Sequence, residues 1–355
     1  MAPYQFDMRE REPVPADVLL AQAAAHDTRA RATGIAAARD FLAPEAARLD
    51  DRTRIALATL LRTMIGTIGG DLHGHAIRLL TDRGETEAAE AIADIAVEGL
   101  LARVQSHLLA QADVARELLD RVAMDLLTER LADGESGEPV RHIDHADRVV
   151  AQRAAALLAA ESRRRTPVDQ PPYATDLSAE LHVRTVWATS AAIAATGKGD
   201  AATHRALADA GLRSLAAHDE GIRLEAAAIR LANAIDAPEP DLPILLEQAL
   251  GKRRVALFVA LIANGLRIAF EDVRTIVVQP GDVRLWLVLR ALALPRPAIA
   301  RIGYMLSEAD PRRDIEAFAD LLDPLAAVAP QDALAALAPL KLPRDYRDAL
   351  AALGS

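Results

Sequence analysis

The chain has 355 residues, a net charge of −10 and a pI near 5.4, and it is 51% hydrophobic but only 3% aromatic, with no cysteine. Disulfides, thiolate nucleophiles and cysteine-ligated metals are excluded, and the acidic balance disfavours phosphate-backbone binding, which needs a basic face. The length exceeds what one core usually sustains, so two globular units or one elongated array are expected. Alanine and leucine dominate over β-branched and aromatic residues, which predicts an all-α fold.

Residues 1–16, with Pro3, Pro13 and Pro15 and no apolar signal core, read as a flexible tail. Residues 17–164 predict a helical bundle. It opens on the alanine-rich Asp17 to Leu42, after which Asp50 or Asp51 offers an N-cap for a long helix. The apolar line Leu57, Leu61, Met64, Ile68, Leu72, His75, Leu79 is close to a heptad, a pattern that predicts a facing helix or a homodimer. Gly66, Gly69 and Gly70 predict a tight crossing or kink on it. Helices follow at Glu85 to Gln111, Asp113 to Ala132 and, after a polar loop, Asp144 to Arg164.

Residues 165–177, with Pro167, Pro171 and Pro172, read as a stiff linker and domain boundary. Residues 178–355 predict a stack of helix hairpins, HEAT-like or irregular. Helices at 177–196, 201–217 and 219–235 precede four segments that repeat one apolar spacing. These are Leu242/Leu245/Leu246/Ala249, Val255/Phe258/Val259/Ile262, Phe270/Val273/Ile276/Val277 and Leu285/Val288/Leu289/Leu292. Pro295 opens another helix, and 314–322 and 343–353 close the chain. The positions Leu242, Phe270 and Ile299 recur at about 28 residues, below the usual period of helical repeats.

The run Leu245 to Gly251, then Phe258 to Ala263, Val273 to Ile276, and Leu285 to Leu294 with Pro295 resembles the C-terminal half of an alphaproteobacterial family catalogued as domain of unknown function 2336. The resemblance spans roughly Asp219 to Leu306. It implies a helical-repeat-like fold in the cytoplasm and carries no catalytic residue to transfer.

Chemistry-bearing clusters are few. His142, Asp144, His145 and Asp147 combine metal-ligand types at spacings a turn could converge, although the same letters fit a helix start with Asp144 as N-cap. His73 lies on the long helix, where a phosphorelay module would present a phosphoacceptor, while His75 sits on the apolar line. Arg163, Arg164 and Arg165 at a helix end, and Lys252, Arg253 and Arg254 at a turn, are candidate partner-binding cations. Trp187 and Trp286 lie in apolar helices and read as buried.

No nucleotide or cofactor fingerprint occurs, so no cofactor is expected. The longest uncharged run, Thr185 to Gly197, has 13 residues, short of the roughly 20 needed to span a bilayer. The expectation is a cytoplasmic, non-enzymatic scaffold or regulatory adaptor with a protein partner and neither nucleic acid nor membrane. A metal-dependent enzyme built on His142 to Asp147 and a phosphorelay module are the competing readings.

Overall fold

Thr53 fixes where the first long helix starts. Its backbone N–H donates to the Asp50 carboxylate at 2.9 Å, which satisfies one of the orphan donors of the first turn. In the computed structural model, which describes residues 17–22, 49–131, 145–165, 176–197 and 199–353, all regular structure among the described residues is helical. The rest of the Asp17 to Leu42 helix, the polar loop and nearly all of 165–177 lie outside the described residues.

Residues 49–129, 145–165 and 176–236 form one compact unit. It contains α1 (Asp51–Asp82), α2 (Thr86–Ala93), α3 (Leu101–Leu109), α4 (Ala112–Arg130, whose last residue falls outside it), α5 (Arg148–Arg165), α6 (Ala179–Thr196), α7 (Ala201–Ala217) and α8 (Leu224–Ile235). The core is the apolar line of α1: Leu57, Leu61, Met64, Ile68 and Leu72 are all buried, against α6 and α7 within the same chain. That line is therefore not a dimer seam. By length and composition α1 could cross a membrane, but its apolar line is already covered by these helices. α1 is uninterrupted through its glycines, and a Cβ at Gly66 or Gly70 would meet nothing within 4 Å, so neither marks a close crossing.

Two helix boundaries correct the sequence reading. The expected helix Glu85 to Gln111 is broken into α2, a 3₁₀ turn Val97–Leu100 and α3. The carbonyl of Ile92, at the end of α2, accepts from the Ile95 N–H at 2.9 Å and from His73 Nε2 at 2.8 Å. α5 starts at Arg148 and not at Asp144, because the Asp147 carboxylate caps it by accepting from the Val149 N–H at 2.7 Å.

The domain boundary also moves. α8 packs along α5, and α6 and α7 on α1, so the three helices after the proline-rich stretch complete the core of those before it. The chain divides after Asp236, a left-handed residue (φ 40°) that ends α8.

The second unit holds 237–353 together with 17–22 and Arg130–Leu131. Its helices are α9 (Leu242–Gly251), α10 (Val255–Leu266), α11 (Phe270–Val278), α12 (Arg284–Ala291), α13 (Arg296–Ala309), α14 (Ile315–Ala327), α15 (Pro330–Ala336) and α16 (Arg344–Leu353). α10 is apolar all round and forms the centre, packed by α9, α11 and α12. Gly303 on α13 lies so close to Phe318 of α14 that a Cβ would overlap the ring, and that ring rests on Trp286 of α12 at 4.3 Å between centroids.

Three helices of this unit stop in one way. At the end of α9 the Arg254 N–H reaches the Ala249 carbonyl and the Arg253 N–H that of Leu250, with Arg253 left-handed at φ 57°. Arg267 after α10 and Ala293 after α12 repeat the pattern, each at φ 54°. These are Schellman stops, which glycine favours because a Cβ in this region is strained by about 1–2 kcal/mol. Ala293 is exposed, so Ala293→Gly removes the strain without losing packing, while the freer unfolded chain offsets part of the gain. Denaturant unfolding should show a net stabilisation of about 0.5–1 kcal/mol.

The 28-residue recurrence has a polar counterpart that the apolar spacing did not reveal. Asp282 clasps Arg284 (Nε–Oδ1 3.0 Å, Nη2–Oδ2 2.7 Å), and Asp310 clasps Arg312 in the same way, both bonds at 2.9 Å, 28 positions later. Each aspartate is buried and also accepts the backbone N–H of its arginine, so the clasp stiffens the α11–α12 and α13–α14 turns.

Candidate partner-binding surface

Of the three arginines at the end of α5, one faces inward. Consecutive helical residues point about 100° apart, so only one of them can meet α8. Arg164 is that one: its guanidinium lies 2.7 Å from Glu225, 2.9 Å from Asp125 and 3.3 Å from Asp176. Arg121 and Arg223 complete the cluster, at 3.6 Å from Asp176 and 3.5 Å from Glu225. Burial alone would raise the Glu225 carboxyl, but Arg164, Arg223 and Arg121 outweigh it and hold the group well below the usual carboxylate range. Arg164 is thus a structural hub, and its candidacy as a partner-binding cation is withdrawn. Arg163 donates to the Ile222 carbonyl at 2.8 Å, and Arg165 stays exposed beside Glu161.

The second basic candidate is a helix stop. Lys252 is exposed at the C-cap of α9, and Arg253 and Arg254 supply the Schellman N–H groups described above. It belongs to the other compact unit.

His142 and Asp144 lie outside the described residues. His145 Nδ1 accepts from the Asp147 N–H at 3.1 Å, and Asp147 caps α5, so both are engaged in the helix start. No group of three or more possible metal ligands occurs among the described residues. His73, the phosphoacceptor candidate, is half-buried, with Nε2 committed to the Ile92 carbonyl.

A histidine pair that the sequence did not suggest closes the other end of the α6–α7 hairpin. His182 and His218 stack with ring centroids 4.1 Å apart and 11° between planes. His182 Nε2 lies 3.4 Å from the Ser214 carbonyl and His218 Nε2 3.1 Å from that of Leu177. Burial first, and then the neighbouring His218, lower the His182 pKa from 6.5, while Ser214 and Asp71 act the other way. A base whose folded pKa is depressed contributes full stability above its unfolded value and loses it as pH falls through that value. Thermal melts should therefore show stability dropping as pH falls below the ordinary histidine value of 6.5, with a shallower drop in His182→Gln.

The outer face of α6 is the most unusual surface of this unit. A helix turned to solvent normally carries charges there, yet the exposed positions at four-residue steps are Val183, Trp187, Ala191 and Ala195. Trp187, expected to be buried, is 38% exposed. Its ring lies across α7 at Gly211, where a Cβ would stand 2.8 Å from Cζ3, so the absent side chain seats the indole. Beside it runs a trench of about 550 Å³ between the end of α6 and the start of α7, lined by Ala191, Ala194, Ala195, His204, Leu207 and Ala208 among others. Ser190 also lines it, and its buried hydroxyl has no hydrogen-bond partner. Trp286, in contrast, is buried as expected.

No family model, curated protein or solved structure matches this chain.

Proposed function

We propose that the chain is a non-enzymatic, cytoplasmic adaptor that binds a protein partner through its helical surface. The observation that carries this reading is the uncharged outer stripe of α6 with a seated but exposed tryptophan. Large aromatic side chains held rigidly at a surface lose little entropy on binding, which is why tryptophan dominates interface hot spots. A contiguous apolar face left open on a folded unit is the ordinary mark of an interaction site. The helical-repeat character implied by the resemblance of the C-terminal segments is consistent with an adaptor.

The test is affinity capture with the full-length chain, followed by reconstitution of the captured protein with the chain from purified components. A stoichiometric complex is the expected result. Failure of every captured protein to bind directly would overturn the reading.

A further inference from the structure

We infer that the trench between α6 and α7 receives an amphipathic helix of a partner protein, its apolar stripe lying over Trp187 and its flanks acidic. This rests on the adaptor reading and adds the chemistry of the occupant.

Three features fix that chemistry. The first is shape: Ala191, Ala194, Ala195 and Ala208 line a trench whose small side chains let another helix approach closely, while Leu207 forms the floor and Trp187 one end. An apolar stripe at i, i+4, i+7 spacing matches such a trough, as in other helix-in-groove interactions.

The second is charge. Arg184 on α6 is committed to Glu180 and Asp113, at 2.6 and 2.8 Å, and the Asp200 carboxylate is committed to the Thr203 N–H as the cap of α7. Among the described residues, Arg205 follows the lining His204 on α7, and Arg103 of α3 donates to the Thr196 hydroxyl next to the lining Ala195 at the end of α6. No carboxylate among the described residues pairs with either, so a binding helix with glutamates or aspartates on its flanks meets complementary charge, and one with lysines meets repulsion.

The third is the Ser190 hydroxyl. The residue lines the trench and its hydroxyl is buried without a hydrogen-bond partner, so it gains one when the side chain turns toward a polar group carried by the incoming helix. A purely apolar occupant would leave it unpaired.

The experiment uses the full chain carrying Trp286→Phe, so that Trp187 is its only tryptophan. The probes are two stapled 18-residue helices with the same leucine stripe, one flanked by glutamates and one by lysines. Titration of the glutamate helix should saturate a change in Trp187 emission, and the lysine helix should bind at least about tenfold more weakly, equivalent to 1.4 kcal/mol. Ala191→Glu, at an exposed position that leaves the core untouched, should abolish binding, and Arg103→Glu with Arg205→Glu should reverse the preference. Equal binding of the two helices, or no emission change with either, would overturn the inference. So would sedimentation showing a dimer that Ala191→Glu dissociates, since a second copy would then be the occupant. A reconstituted partner whose binding survives Ala191→Glu removes this site while leaving the adaptor reading intact.

Discussion

Replacing Arg164 by alanine should destabilise the first compact unit by about 3–5 kcal/mol, the range for breaking a buried ion pair from one side. The guanidinium is 7% exposed and Glu225 is 4% exposed, so the substitution leaves a buried carboxylate with part of its counter-charge removed. Arg164 also joins α5 to α4 through Asp125, and to the segment before α6 through Asp176, whose other oxygen accepts from the Leu224 N–H at 3.1 Å. One truncation therefore loosens four segments together. Urea unfolding followed by Trp187 emission in the Trp286→Phe background reports on this unit, and a loss below about 1 kcal/mol would show that Arg164 behaves like an ordinary surface pair.

Because the damage comes from the stranded carboxylate, Arg164→Met combined with Glu225→Gln should be less destabilising than Arg164→Met alone. The same cluster makes the unit acid-sensitive. Glu225 is held below its ordinary value of 4.5, so its contribution is complete above that pH and is lost as the pH falls below it. Far-UV melts below pH 4.5 should show a decline that Glu225→Gln reduces, separate from the histidine effect nearer pH 6.

Gly303→Ala should destabilise the second unit by about 1–3 kcal/mol, the usual effect of overpacking a core. The methyl would occupy the position of the Phe318 ring, and Trp286, with its ring centroid 4.3 Å from that ring, restricts where the ring can move. Gly265 makes a comparable approach, with a Cβ 2.7 Å from the Leu292 Cδ2, but a leucine methyl turns aside more readily than a packed aromatic ring. In a Trp187→Phe background, Trp286 emission should shift in Gly303→Ala, and Phe318→Leu should recover part of the stability by vacating the space.

Much of the second unit could be read from the sequence because its signals are local. The starts Leu242, Val255 and Phe270 and the stop at Gly251 follow from apolar spacing and from turns the chain spells out. Asp50, Ser178 and Asp200 cap helices by accepting from Thr53, Leu181 and Thr203, as short polar side chains before an apolar run do. The α2–α3 break was hidden, since Glu85 to Gln111 keeps a helical period throughout and the contact His73 makes with the Ile92 carbonyl at the end of α2 comes from a helix distant in sequence.

The candidate site was less legible, for the same physical reason. Arg163, Arg164 and Arg165 are identical letters, and only the position of α8 decides which one is enclosed. Trp187 stands in a run without charges, which reads as a buried helix because nothing in it says that one face lacks a cover. The signal that could have located the seat is Gly211 in the middle of a helix, where glycine has no local reason to be.

Whether the outer face of α6 binds protein is tested by acrylamide quenching of Trp187 in the Trp286→Phe chain, free and in complex with its reconstituted partner. Trp187 should be quenched readily in the free chain and strongly protected in the complex. Quenching that is unchanged on complex formation would contradict binding at this face.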